Sequence, residues 1–188
     1  MQDNKDEPYD KAPILIEGYK TDLTDKTYEI TNHEFIEAVF GDDLQHYLPI
    51  MVSFEGNPNS VPSKSWLGTE WNPDFHRSAL SVHKNNYFSL AGFSPNDKGT
   101  FRRQKKHFAA LHSIMLDDIG IKVELGRLTL LPSWMIETSP GNYQAGYILD
   151  EPLADAKIAD AIMNAVITAN LCDPGAGGPA ARLARLPV

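Results

Sequence analysis

The stretch Leu111-His-Ser-Ile-Met-Leu-Asp117-Asp118-Ile-Gly120 decides the fold prediction, because an apolar run ends there in two adjacent carboxylates. The apolar pattern predicts a buried β-strand over about residues 109–116. Neighbouring side chains on a strand point to opposite faces, so both acids can serve one site only where the strand ends or bulges. Gly120 favours such a distortion. Taken alone, Asp117-Asp118-Ile-Gly120 is more often a polar turn that closes a core strand.

A third acid and two arginines follow about 55 residues later, in Cys172-Asp173-Pro-Gly-Ala-Gly-Gly-Pro-Ala-Ala-Arg182-Leu-Ala-Arg185. Three carboxylates held close together repel each other, and Mg²⁺ or Mn²⁺ relieves that repulsion. Such ions can bridge nucleotide phosphates, and arginine binds two phosphate oxygens at once. A fold that gathers these residues would therefore support nucleotidyl transfer. Taken singly, Asp173 is also typical of a turn after a helix, and the arginines of surface ion pairs.

Length and composition limit the possible classes of protein. The 188 residues are enough for one domain with a sizeable core. Cys172 is the sole cysteine, which excludes a disulfide framework and a zinc site built from several thiolates. The sequence shows no basic-apolar start and no apolar run of about 18 residues, so we expect no membrane partner and a cytoplasmic protein. It also lacks the glycine-rich phosphate-binding loop of nucleotide-hydrolysing motors.

The charge is unevenly distributed along the chain. Residues 1–45 contain 12 acidic residues and 4 lysines and so carry the whole net charge of -8. The remainder is neutral and contains the cluster Arg102-Arg-Gln-Lys-Lys-His107, which is typical either of a solvated surface or of a nucleic-acid contact. On charge alone, Arg102, Arg103, Lys105 and Lys106 are predicted to contact the backbone of a DNA template.

The order of predicted elements is mixed, which indicates an α+β fold. Residues 1–25 are predicted to form a flexible acidic arm with at most a short strand near Ile14, and residues 26–188 the folded domain. Thr31-Asn-His-Glu34 has the spacing of a capping box, which predicts a short helix ending at Gly41. Strands are predicted over residues 47–54, 86–93, 109–116 and 143–149, with further short extended segments over 124–131 and 133–137. A helix is predicted over residues 154–170, with Ile158, Ile162 and Val166 on its apolar face.

Four motifs in a fixed order carry a family resemblance. They are Tyr87-Phe-Ser-Leu90, Leu116-Asp-Asp-Ile-Gly120, Pro132-Ser133 followed by Glu137-Thr-Ser-Pro-Gly-Asn-Tyr-Gln-Ala145, and Asp173-Pro174 with Arg182-Leu-Ala-Arg-Leu-Pro187. Over about residues 85–188 the chain resembles the primase-polymerase domain of the archaeo-eukaryotic primase superfamily, in its RepB-like branch of plasmid and phage replication proteins.

The resemblance implies a fold, a reaction and a set of site residues. The fold is an RNA-recognition-like antiparallel or mixed β-sheet flanked by helices, joined to a smaller N-terminal αβ unit. The implied reaction is template-dependent primer synthesis and extension, in which a 3′-hydroxyl attacks a nucleoside triphosphate with Mg²⁺ or Mn²⁺ as cofactor. The metal ligands would be Asp117, Asp118 and Asp173. Residues Ser139, Gln144, Arg182 and Arg185 would bind the nucleotide.

Two departures from the family pattern bear on activity. Gln144 stands where many members have a histidine; glutamine can donate a hydrogen bond to a phosphate but cannot shuttle a proton. The chain also ends at Val188, where relatives continue and often lead into a helicase. We therefore expect a domain of a larger replication protein, with single-stranded DNA, nucleoside triphosphates and a replicative helicase as partners.

Two other classes of function stay open at this point. One is a replication initiator module that keeps the fold and binds DNA without catalysis. The other is a metal-dependent nuclease or phosphohydrolase built on the same three aspartates. The first would bind single strands regardless of Mn²⁺, and the second would shorten DNA without any triphosphate.

Overall fold

The computed structural model describes Ile14–Leu15 and residues 30–187; the rest of the predicted acidic arm lies outside the described residues. Within that part of the chain there are nine strands and three helices. They are β1 (Ile14–Leu15), α1 (Asn32–Phe40), β2 (Ile50–Phe54), β3 (Thr69–Glu70), α2 (Pro73–Ala79), β4 (Asn85–Ser89), β5 (Ala91–Phe93), β6 (Phe108–Ile119), β7 (Trp134–Ser139), β8 (Asn142–Leu153), α3 (Ala156–Thr168) and β9 (Leu183–Arg185).

The strands form two antiparallel sheets. The larger sheet has the strand order β1-β7-β8-β6-β5, and the smaller sheet has the order β3-β2-β4-β9. The smaller sheet with α1 and α2 corresponds to the predicted N-terminal αβ unit. Its edge strand β9 comes from the end of the chain, which brings the arginine-rich segment to this sheet. The α+β prediction is confirmed.

The chain passes from the smaller sheet to the larger one at Leu90. The sequence predicted a single strand over residues 86–93, but β4 ends at Ser89 and β5 begins at Ala91 in the other sheet. The buried Ser89 hydroxyl donates to the carbonyl of Ala91 over 2.8 Å and accepts from the amide of Ile50 over 2.8 Å. The Ser89 hydroxyl therefore pairs backbone groups that would otherwise lose their partners where the chain leaves one sheet for the other.

Helix α1 packs between the two sheets. Its capping box is present: the Thr31 hydroxyl accepts from the amide of Glu34, and the Glu34 carboxylate accepts from the amide of Thr31. The helix ends at Gly41, as predicted. Phe35 is fully buried and makes edge-to-face contacts with Phe88 of the smaller sheet and Trp134 of the larger sheet. One hydrophobic core therefore joins both sheets.

The loop after β6 differs from the prediction. Residues 124–131 form no strand; they contain a single 3₁₀ turn, Leu125–Arg127. The Arg127 side chain donates to the carbonyls of Ala169 and Asn170 over 2.9 and 3.0 Å. The helix itself leaves these carbonyls at the end of α3 unpaired. Arg127 therefore caps α3, and this cap holds the loop in place of pairing with a strand.

Helix α3 forms where the sequence predicted it, but its buried face is different. Ala159 and Met163 are buried, while Ile158 is half exposed. Asp155 is the N-cap and accepts from the amides of Lys157 and Ile158. Of the predicted apolar face, Ile162 and Val166 are partly buried, so the sequence pattern was wrong only at Ile158.

Candidate active site

The strand β6 bulges at the paired aspartates. In its ladder with β8, Leu116 pairs with Ala145 and Ile119 with Tyr143, so Asp117 and Asp118 together oppose the single residue Gln144. Asp118 has a positive φ of 59°, a conformation that is costly for a residue with a side chain. The distortion predicted from the sequence is therefore present, and it lets both carboxylates reach the same side of the sheet.

A tight turn follows the bulge and leads back over it. The amides of Lys122 and Val123 donate to the carbonyl of Asp118 over 3.0 and 3.2 Å, and Gly120 donates to the carbonyl of Val123 over 2.7 Å. Gly120 has a φ of +94°, and a Cβ there would collide with the carbonyl oxygen of Gly141 in the β7–β8 hairpin. Only glycine fits this position, and the turn places Lys122 above the acids.

The third aspartate joins the first two through the backbone. The amide of Asp173 donates to the carbonyl of Asp117 over 3.3 Å, and the amide of Asp117 donates to the buried Sγ of Cys172 over 3.2 Å. Asp173 caps its own turn by accepting from Gly175 with Oδ2, and its Oδ1 accepts from the ammonium of Lys122 over 2.7 Å. Burial raises the pKa of Cys172, so its side chain is a neutral structural group here.

Each of the three carboxylates contacts a basic side chain. The Nζ of Lys122 lies 2.7 Å from Asp118 Oδ2 and 2.7 Å from Asp173 Oδ1, and Arg182 lies 2.8 Å from Asp117 Oδ2. The hydrogen bond from Lys122, followed by that from Asn142, lowers the pKa of Asp118, and the two carboxylates raise the pKa of Lys122. The site is thus a compact network of ionised groups.

Two amide side chains complete this network. Gln144 donates to Asp117 Oδ1 over 3.2 Å, and Asn142 donates to Asp118 Oδ1 over 2.9 Å. The oxygen of Gln144 accepts from the backbone amide of Arg185 over 2.8 Å, which connects the two sheets. The oxygen of Asn142 is buried and has no hydrogen-bond partner within the described part of the protein. Such an acceptor is available to a ligand hydroxyl or to a cation.

Two half-buried guanidinium groups lie near the site without an acidic partner among residues 30–187. Arg185 stacks 4.4 Å from the ring centroid of Tyr87 and donates to Asn85 over 2.8 Å. Arg103 donates to the carbonyls of Ala181 and Trp66 over 2.6 and 2.7 Å. Burial lowers the pKa of both arginines. At Arg185, whose backbone amide donates to Gln144, this partly desolvated positive charge suits a polyanionic ligand.

The remaining predicted site residues are exposed. Ser139 is exposed at the tip of the β7–β8 hairpin and pairs in register with Asn142. Within the basic cluster, Arg102, Lys105 and Lys106 are exposed, and Lys105 lies 4.0 Å from Asp160. Arg103 differs from its neighbours, because its hydrogen bonds tie the cluster to the segment that carries Arg182.

The donor set suits a divalent cation. Within the described residues, no group of three or more His, Cys, Asp or Glu side chains is arranged to hold a metal ion as the structure stands. The oxygens of Asp118 and Asp173 nevertheless both contact one ammonium group at 2.7 Å, so they lie no farther apart than twice that distance. Carboxylate oxygens that already share one cation are the hard ligands that Mg²⁺ and Mn²⁺ take. The residues present therefore fit the implied metal.

Three contributors to the site were not among the predicted site residues. Lys122 follows Asp118 by four positions, and only its charge in a turn beside paired acids could have indicated it. Asn142 belonged to a predicted hairpin turn, and its contact with Asp118 depends on how the hairpin folds over β6. Cys172 was noted as the sole cysteine, but its hydrogen bond from Asp117 could not be seen in the sequence.

Comparison with known proteins adds one informative match. No protein-family model matches the chain, and no curated protein matches it. Among solved structures, it is similar to "Cyanophage S-2L Primase-Polymerase (PrimPol), AEP domain (PP-N190)", with a TM-score of 0.54 and 12% identity over 81% of this chain and 78% of that one. This chain has the primase-polymerase fold. At so low an identity the likeness establishes the fold alone.

The primase-polymerase fold agrees with the architecture expected from the sequence resemblance. The described part of the protein contains no helix long and apolar enough to span a membrane.

Proposed function

We propose that this chain is a template-dependent nucleotidyl transferase, a DNA primase-polymerase of a plasmid or phage replication system. The observation that carries the proposal is the meeting of Asp117, Asp118 and Asp173 with Arg182 and Gln144 in a primase-polymerase fold. These residues come from three separate segments of the chain, which the fold brings to one place.

The carboxylates of Asp117, Asp118 and Asp173 would hold Mg²⁺ or Mn²⁺. When bound, the metal neutralises the acids, lowers the pKa of a primer 3′-hydroxyl and stabilises the leaving pyrophosphate. The bulge at Asp118 holds the acids on one side of the sheet, so little reorganisation is needed when the nucleotide arrives.

The chain's own cations and amides would orient the triphosphate. Arg182 lies against the acids and Arg185 is fixed by Tyr87 and Asn85, so both guanidinium groups have a restricted geometry suited to phosphate oxygens. Gln144 connects Asp117 to the backbone of Arg185 and can donate to a phosphate. It cannot accept and release a proton as histidine does, so its role would be positional. Ser139, on the exposed hairpin, would contact the nucleotide from the side.

The template strand would lie along the exposed basic side chains of Arg102, Lys105 and Lys106. Arg103 would act indirectly, because its guanidinium holds the cluster against the carbonyls of Trp66 and Ala181. A replicative helicase as partner remains a prediction that rests on the sequence resemblance.

The initiator module stays as a second candidate because of one observation. Lys122 already bridges Asp118 and Asp173, and a protein that binds no metal could keep these two ion pairs permanently. An end-labelled single-stranded DNA with a hairpin primer, incubated with Mn²⁺ and triphosphates, separates the candidates. Longer product supports the transferase, unchanged length with retained DNA binding supports the initiator, and shortening without triphosphates supports a nuclease.

A further inference from the structure

The side chain of Lys122 forms ion pairs with two of the three carboxylates of the site. Its ammonium lies 2.7 Å from Asp118 and 2.7 Å from Asp173, and its side chain is 56% exposed. No other side-chain hydrogen bond of Lys122 occurs within the described residues. The lysine stem could therefore move into solvent without breaking any packing of the core.

This ammonium occupies the position that suits a metal. Divalent ions bind carboxylate oxygens at about 2.0–2.2 Å, well inside the contact distance of an ammonium group. A cation that binds both Asp118 Oδ2 and Asp173 Oδ1 would therefore compete with Lys122 Nζ, which already contacts both oxygens. Two cations at such a separation repel strongly, so the two states exclude each other.

We propose that Lys122 is an internal counter-ion that occupies the cation position between Asp118 and Asp173 and is displaced when Mg²⁺ or Mn²⁺ binds. This inference rests on the proposed function. Without metal, Lys122 offsets the repulsion between the acids and keeps the site assembled. Because the metal must displace Lys122, it binds more weakly than it would bind to the carboxylates alone.

Arg182 also contacts a carboxylate of the site but is held in place more firmly than Lys122. It also contacts a carboxylate, Asp117, but its guanidinium donates in addition to the carbonyl of Gly175. Its side chain is 26% exposed, against 56% for Lys122. Arg182 is therefore anchored at the site, and Lys122 is the cation that can leave.

The test is direct Mn²⁺ binding, measured by the electron paramagnetic resonance of free Mn²⁺ without nucleotide. The variants are Lys122→Met, which removes the charge and keeps the length, and Lys122→Arg, which keeps the charge. Lys157→Met serves as a control on an exposed lysine of α3. Asp173→Asn identifies the site that binds the metal.

We expect Lys122→Met to bind Mn²⁺ about threefold to tenfold more tightly than wild type, because the exposed ion pairs that oppose binding are each of modest strength. Lys122→Arg and Lys157→Met should bind close to wild type, and Asp173→Asn should lose the tight site. In EDTA, Lys122→Met should melt at a lower temperature than wild type, and Mn²⁺ should restore part of the difference.

The outcomes that contradict the inference are distinct from those that contradict the function. Equal Mn²⁺ affinity in wild type and Lys122→Met would overturn the counter-ion role and leave the metal site standing. Binding in Lys122→Met alone would show a lysine that is not displaced, which overturns the exchange and favours the initiator module. Absence of binding in every variant would overturn both the inference and the proposed metal chemistry.

Discussion

The backbone amide of Asp173 donates a hydrogen bond to the carbonyl of Asp117 over 3.3 Å. This bond joins the turn that follows α3 to the bulge of β6 and fixes the two acids through main-chain atoms. Because the link needs no side chain, either carboxylate can be altered without removing it. The site can therefore be tested by substitution while its backbone is kept.

Replacement of Arg185 by lysine should weaken nucleotide binding while leaving the fold intact. Lysine keeps the positive charge but loses the stacking on Tyr87 and the planar fork that binds two phosphate oxygens. We expect the KM for the triphosphate to rise by about tenfold, with a smaller effect on kcat. Steady-state primer extension gives both constants.

Arg127→Lys is the matched control for Arg185→Lys. Arg127 caps the end of α3 and makes no contact with the acids among its described hydrogen bonds. Its replacement should lower the melting temperature slightly and leave the KM unchanged. A larger KM effect in Arg127→Lys than in Arg185→Lys would contradict the assignment of the phosphate site.

The basic cluster should separate into two kinds of residue. The triple variant Arg102→Ala, Lys105→Ala, Lys106→Ala should bind single-stranded DNA more weakly with little change in stability. Its plot of log K against log salt should be shallower by about 2, the value for three lost phosphate contacts. Fluorescence anisotropy over a range of salt concentrations measures this slope.

Arg103→Ala should behave in the opposite way. The substitution leaves the carbonyls of Trp66 and Ala181 without their donor, which costs about 1–3 kcal/mol of unfolding free energy. Chemical denaturation measures that loss. An Arg103→Ala protein of wild-type stability whose salt slope is reduced would instead place Arg103 on the DNA.

Gly120→Ala should destabilise the protein and disturb the acids. A side chain at this positive φ is strained, and its Cβ would meet the carbonyl of Gly141. We expect a loss of more than about 1 kcal/mol in unfolding free energy and a drop in activity, since the turn carries Lys122 and abuts Asp118. Gly126→Ala, with open space around its Cα, is the control and should change neither property.

Stability should fall at mildly acidic pH because of buried His112. Burial lowers the pKa of His112, although Asp43 at 3.1 Å and the carbonyl of Ala110 at 3.2 Å favour the charged ring. A lowered folded-state pKa means that the unfolded chain binds the proton more readily. The contribution of His112 is therefore complete above about pH 6.5, the unfolded value, and is lost as the pH falls through the folded pKa.

The measurement for His112 is the melting temperature between about pH 7.5 and about pH 5.5. Wild type should lose several degrees, and His112→Gln should lose less. His76, whose pKa burial also lowers, should retain part of the slope in that variant. Replacing the exposed His83 should leave the wild-type slope, and an unchanged slope in His112→Gln would contradict the role of His112.

The sequence predicted those parts of the fold that depend on local patterns. The capping box at Thr31, the strand that leads into Asp117 and the helix α3 all follow from spacing and propensity. It did not predict the change of sheet at Leu90 or the short strand β9. Both depend on partners far along the chain, which local periodicity does not encode.

The sequence indicated three acids that the structure brings together, but not the basic side chains that pair with them; their role as metal ligands stays a prediction. Asp117, Asp118 and Asp173 lie together, as the spacing and the resemblance suggested. Their pairing with Lys122 and Arg182 depends on a tight turn and on the path of the last residues. Such tertiary placement is visible only once the bulge and the hairpin are in position.

The most direct test of the central claim is primer synthesis on single-stranded DNA with labelled triphosphates and Mn²⁺. Wild type is compared with Asp117→Ala/Asp118→Ala and with Asp150→Asn, an exposed acid of β8. The proposed function predicts product from wild type and Asp150→Asn, and none from the double variant although it still folds and binds DNA. Equal product from the double variant, or no product from a wild-type protein that binds Mn²⁺ and triphosphate, would contradict it.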